Sequence, residues 1–91
     1  MQREYKEQRQ HIIKKLGLLI KQARIEKTKS ISLISDEVGL SKSIWADLER
    51  GQKDPQFTTL WRIAEALEIP LSQIIASLEE EIDKNLSFIE K

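Results

Sequence analysis

A single glycine, Gly39, separates two short amphipathic segments, and this break constrains the fold more than any other feature of the chain. Upstream, Ser30 is placed as an N-cap, and Ile34 and Val38 follow at helical spacing as an inward face. Leu33 rather than a glutamate lies three residues after Ser30, so the cap has no reciprocal partner. Downstream, Ser41 caps a second segment in which Ile44, Trp45 and Leu48 are apolar and which Gly51 closes. Glycine enters the left-handed region at no steric cost, so a helix that stops at Gly39 can turn sharply into the next cap. Two short helices at a fixed angle are therefore predicted over Ser30–Gly51.

Longer apolar stripes flank this pair. Ile12, Leu16, Leu19, Ile20 and Ala23 recur at spacings of three and four and predict a first helix, extending back towards Tyr5 and ending at Thr28-Lys29. Its other face is polar and basic, with Lys14, Lys15, Lys21, Arg24 and Lys27. After the polar loop Gln52–Pro55, the residues Phe57, Leu60, Ile63, Ala64 and Leu67 predict a fourth helix over 57–67. Pro70 is expected to open a fifth as its first helical residue. The stripe Leu71, Ile74, Ile75, Leu78, Ile82, Leu86 and Ile89 carries that helix nearly to the end. Ninety-one residues allow one modest core. The expected fold is all-α, a compact five-helix bundle in one domain.

Composition removes several function classes. There is no cysteine, hence no disulfide and no thiolate metal site. His11 is the only histidine, so no metal centre, cofactor or histidine-assisted nucleophile is expected. Ser35 and Ser43 have no base beside them, and Asp36-Glu37 are neighbours on a short helix rather than facing carboxylates. A non-enzyme is expected. The opening MQREYKEQRQ is too polar for a signal peptide, and the run Leu16–Ile20 is too short to span a bilayer. A soluble cytoplasmic protein is the expectation. Net charge is zero but unevenly placed. Residues 1–30 hold nine Lys/Arg against three Asp/Glu, whereas residues 61–91 hold three against seven. A basic front and acidic back give either a phosphate-facing side and a repelled side, or two ends that pair with each other.

A packed helix pair with a small polar outer face is how many small proteins present a helix to the DNA major groove. From Leu16 to Ile75 the chain resembles the phage-repressor/Cro-like (XRE) helix-turn-helix family. The matching residues are Leu16, Ile20 and Arg24; Ser30, Ile34 and Val38-Gly39-Leu40-Ser41; Leu48-Glu49-Arg50-Gly51 and Pro55; Ile63-Ala64-Glu65-Ala66-Leu67, Ile69 and Leu71. The resemblance implies a lambda-repressor-like DNA-binding domain whose third helix, Lys42–Arg50, enters the major groove. It divides the chain into a polar extension over 1–11, the helix-turn-helix domain over 12–75, and an amphipathic helical extension over 76–91.

Helical spacing puts Lys42, Ser43, Ala46, Asp47 and Arg50 on one polar face. Lys42 can donate to guanine, Ser43 suits several base edges, Asp47 can accept from cytosine N4, and Ile44 can touch a thymine methyl. These four are the expected base contacts. Ser41, Arg50, Lys53 and Ser30, with the helix N-termini, are the expected phosphate contacts. The resemblance also implies a structural ion pair between Arg24 and Glu49, against solvation of both as the plainer reading. Four positions depart from the family pattern: Ile31, where a phosphate-gripping glutamine is usual; Leu33, where a charge is usual; Ser35, for alanine; and Asp47, a negative charge facing a polyanion.

Trp45 is expected in the core, while Trp61 divides evenly between half-exposed core and dimer contact. The stripe Leu78, Ile82, Leu86 and Ile89 must bury itself on a second subunit, the favoured reading, or on its own N-terminal extension. The functional expectation is a dimeric, sequence-specific transcriptional regulator, a repressor on a palindromic operator, with double-stranded DNA as partner and no membrane. Phage-type repressor, restriction-modification controller and antitoxin share this size and fold. The rival is a protein-interaction module that keeps the fold and binds a protein partner such as a toxin or polymerase.

Overall fold

The computed structural model describes residues 5–89. Five helices follow one another: α1 (Lys6–Glu26), α2 (Ile31–Val38), α3 (Lys42–Glu49), α4 (Phe57–Leu67) and α5 (Leu71–Glu81). Arg50 is the cap that ends α3 rather than its last helical residue. Pro70 is likewise the N-cap of α5, in extended conformation, rather than its first turn.

Both predicted serine caps form. Ser30 Oγ accepts from the Leu33 amide at 3.0 Å, and Ser41 Oγ accepts from the Ile44 amide at 3.1 Å. Four helices end in the same way, with one residue in the left-handed region and a six-to-one backbone hydrogen bond. Leu40 N–H donates to Ser35 O across Gly39, and Gln52 N–H donates to Asp47 O across Gly51. Lys29 N–H donates to Arg24 O across Thr28, and Ile69 N–H donates to Ala64 O across Glu68. This arrangement satisfies carbonyls that the helix end would otherwise leave free.

The core lies where the five stripes converge. Ile20, Ile34, Trp45, Ile63 and Leu67 are sealed from solvent, joined by Leu16, Val38, Leu48, Ile74 and Leu78. α1 packs against α3 and α5, and α2 against α3 and α4, so the α2–α3 pair sits on a platform of longer helices. Two cross-element caps hold that platform. Arg62 Nη1 donates to Val38 O at 2.8 Å, and Lys29 Nζ donates to Ala66 O at 2.8 Å while pairing with Glu37.

The C-terminal extension is not the continuous helix expected over 76–91. α5 stops at Glu81, and Ile82 is already extended. Beyond it Asp83 Oδ1 accepts from the Asn85 amide at 2.8 Å, and Leu86 N–H donates to Asp83 O at 3.0 Å. This local turn competes with helix for the same backbone groups. Three glutamates in the last turn, facing the negative end of the helix dipole, favour stopping there. The segment folds back on α1: Gln8 Nε2 donates to Ser87 O at 3.2 Å, and the Tyr5 and Phe88 rings lie 5.8 Å apart. Leu78 is buried and Ile82 and Leu86 half-buried within this chain, whereas Ile89 is exposed, so most of that stripe packs against its own domain. Residues 90 and 91, at the end of the expected extension, lie outside the described residues.

Candidate nucleic-acid interface

The orientation of α3 is set by its inner face. Trp45, Leu48 and Glu49 point inward and are buried. Glu49 is a charge in that interior, and both its carboxylate oxygens are engaged. Its Oε2 accepts from Arg24 Nε at 2.6 Å and from Trp45 Nε1 at 2.7 Å, while Oε1 accepts from Arg24 Nη2 at 3.1 Å. Arg24 spends its remaining nitrogen on Lys29 O at 3.0 Å. A bidentate, almost fully desolvated pair of this kind fixes geometry as well as charge. One node therefore ties α1, the α1–α2 turn and α3 together.

Backbone contact completes the seam. A Cβ added at Gly17 would lie 2.4 Å from Leu48 O and 2.7 Å from Glu49 O, so α1 meets the end of α3 with no side chain between them. Gly51 sits at φ 72° and abuts the backbone of Lys14 just as closely.

The outer face of α3 is then presented in a defined register. Ser41, Lys42, Ser43 and Ile44 are exposed at its N-terminal end, with Ile44 40% accessible. Asp47 is half-buried one turn on and forms an ion pair with the exposed Arg50. Lys53 on the following loop and Ser30 at the start of α2 are also exposed. The expected base-contact residues Lys42, Ser43 and Ile44 are thus exposed in the first turn of α3, with Asp47 less accessible a turn later. Ile31 is half-buried and Leu33 exposed, giving the start of α2 an apolar edge.

Sequence reasoning did not single out Gly17, Lys29 or Arg62. An isolated glycine amid the apolar residues of a long helix was a readable sign of close backbone approach. Lys29 and Arg62 act on carbonyls of distant helix ends, which no local pattern reveals. Trp45 is sealed in the core, and its indole N–H is also a third donor to Glu49. Trp61 is 53% exposed and packs edge-on against Phe57, itself 65% exposed, with ring centroids 6.0 Å apart.

A capped short helix, a tight glycine turn and a second capped helix offering a small polar face define the helix-turn-helix class. The helix-turn-helix family profile matches residues 20–74, and the chain belongs to that family. It is 34% identical over 61 residues to the HTH-type transcriptional regulator SutR of Escherichia coli K12, covering 67% of this chain and 34% of that protein. The chain spans 34–60% of the length of the curated relatives it matches. The crystal structure of the restriction-modification controller protein C.AhdI from Aeromonas hydrophila is similar at 26% identity and a TM-score of 0.66, covering 68% of this chain and 94% of that one. The controller C.Esp1396I, solved as a tetramer in complex with its natural 35 base-pair operator, shares the fold at 21% identity and a TM-score of 0.70, covering 77% and 92%. Among the described residues no helix is long and apolar enough to cross a membrane.

Proposed function

We propose that this protein is a sequence-specific, DNA-binding transcriptional regulator that acts in the cytoplasm without enzymatic activity, as a repressor occupying its operator. The observation that carries the reading is the contrast between the faces of α3: an inner face locked by Glu49, Arg24 and Trp45, and an outer side that exposes Ser41, Lys42, Ser43 and Arg50 in a fixed register. Rigid support with a small polar surface is what major-groove reading requires. Membership of a family whose relatives include transcriptional regulators supports the same reading.

Lys42 and Ser43 read base edges, with Ile44 placed for a thymine methyl. The free amides and serine caps at the starts of α2 and α3, together with Arg50 and Lys53, anchor phosphates. A palindromic site calls for a dimer, with half-sites about 34–36 Å apart. The exposed Phe57 and Trp61 stand beside an apolar groove between α4 and α5 lined by Trp61, Ile69, Leu71 and Ile75. A knob and a groove on one surface suit an isologous contact, and this face supports dimerisation better than the C-terminal stripe.

Selection of bound duplexes from a randomised pool tests the proposal. An inverted repeat recovered with steep salt dependence is expected. The Lys42→Ala/Ser43→Ala double variant should lose preference at the corresponding positions while keeping its helicity. Unchanged affinity and preference in that folded variant would overturn the assignment. No enrichment at low salt would favour a protein-interaction module.

A further inference from the structure

We propose that Asp47 is a specificity-determining residue that acts through Arg50, holding its guanidinium in one geometry and withholding its charge from non-specific DNA. The inference rests on the DNA-binding reading and replaces the expected role of Asp47 as a reader of cytosine. Asp47 Oδ1 is occupied by Arg50 Nη2 across one helical turn. The Asp47 side chain is 27% exposed and that of Arg50 59% exposed, so the carboxylate forms the inner support and the guanidinium the outer edge. The other guanidinium donors of Arg50 hold no hydrogen bond among the described residues. Arginine has five donors in a rigid fork, so pairing one edge with a carboxylate leaves the rest free for a phosphate.

This pairing affects matched and unmatched DNA differently. On an operator docked in register by Lys42 and Ser43, a phosphate lies at one fixed place, and a pre-oriented Arg50 meets it with little loss of side-chain freedom. Non-specific association depends instead on net charge and counterion release. There the pair is neutral, and Arg50 contributes almost nothing. Asp47 thereby makes a mismatched duplex a weaker competitor without contacting a base. A negative charge on a surface that approaches a polyanion acquires a purpose.

The test is a double-mutant cycle read on two duplexes, the selected operator and a mixed-sequence duplex without it, across a salt series from about 50 to 200 mM. Asp47→Asn should bind the mixed-sequence duplex roughly five-fold more tightly near 0.15 M salt, with a salt slope steeper by about 0.9, the value for one freed cation. Operator affinity should rise less, so the ratio between the two duplexes falls. In an Arg50→Gln background the Asp47→Asn gain should vanish. Circular dichroism on each variant confirms folding.

An equal gain in the Arg50→Gln background would show simple repulsion by Asp47 and overturn the inference. Loss of operator affinity with relaxed preference at one base pair would overturn it in favour of base reading. If the wild-type protein bound neither duplex, the DNA-binding reading and the inference would fall together, a result distinguishable from either of the others.

Discussion

At its middle α1 meets the end of α3 backbone to backbone at Gly17, reinforced by the buried Arg24–Glu49–Trp45 node. Its start meets residues 87–88 through one side-chain hydrogen bond and a tilted aromatic pair, and Lys15, further along α1, pairs with Glu81 at the end of α5 at 3.6 Å. Both contacts join distant parts of the chain to the same helix. The first is desolvated and over-determined, and it fixes the angle at which α3 is presented. The second covers apolar stems at the edge of the core and can open without moving α3. Function-bearing geometry is therefore expected to fail only with the whole fold, and the terminal clasp to fail by itself.

The sharpest way to break the first contact is Glu49→Ala. It strands the Arg24 charge and removes the acceptor of the Trp45 indole in one step. A loss of about 3–5 kcal/mol is expected, as for truncating one partner of a buried pair. Urea denaturation measures it, with a fall in midpoint at unchanged slope. A loss below about 1 kcal/mol would mean the node is solvated like a surface pair. Gly17→Ala tests the backbone approach separately. The added methyl would lie 2.4 Å from Leu48 O, so α1 and α3 must part. Overpacking of this kind costs about 1–3 kcal/mol, outweighing the gain in helix propensity from alanine. Because the helices shift, operator affinity should fall even at temperatures where the variant stays folded.

The difference between the two contacts also separates what could be read from the sequence. The α2–α3 unit was legible because its signals are local: Ser30 and Ser41 as caps, Gly39 and Gly51 as left-handed stops, and apolar residues at helical spacing between them. The end of α4 fell where its stripe ended, yet the left-handed residue there is Glu68, and at the end of α1 it is Thr28. Nothing in the local pattern marks a glutamate or a β-branched threonine for that conformation; tertiary packing imposes it. The Arg24–Glu49 pairing came from family resemblance, not spacing, since 25 residues separate the partners. The C-terminal stripe misled because its period is helical through Ile89 while Asp83 and Asn85 form a turn that periodicity does not register. Trp61 stayed ambiguous because it lies at the margin of its stripe, where burial depends on what packs alongside.

Predictions on the clasp are smaller. Phe88→Ala removes the ring that faces Tyr5, and the aromatic pair is worth about 0.5–1.5 kcal/mol beyond the area it buries. Phe88 is already 43% exposed, which favours the low end of that range. The effect should appear in amide hydrogen exchange as faster opening of residues near Gln8 and Ser87. Amides of α3 should exchange at the wild-type rate, apart from the small global loss. Equal acceleration in both places would erase the distinction between the contacts, because the clasp would then belong to the global cooperative unit.

The smallest expected effect is that of Lys15→Ala. Its partner Glu81 is 52% exposed and Lys15 itself 36% exposed, so water and salt screen the attraction. Exposed pairs contribute about 0–1 kcal/mol, and Lys15 borders the same surface depression as Leu18 and Leu19, so packing of its stem is a second contribution to test. Salt separates the two contributions. A loss in denaturation midpoint that disappears on raising the ionic strength from about 0.1 M to 1 M, where the Debye length shrinks from about 10 Å to 3 Å, would assign the contribution to charge. A loss that persists would assign it to packing of the stem. The Arg24–Glu49 pair, shielded from solvent ions, should keep nearly its full contribution over the same range, so a salt series on Lys15→Ala and Glu49→Ala together measures how differently these two ion pairs of α1 hold it.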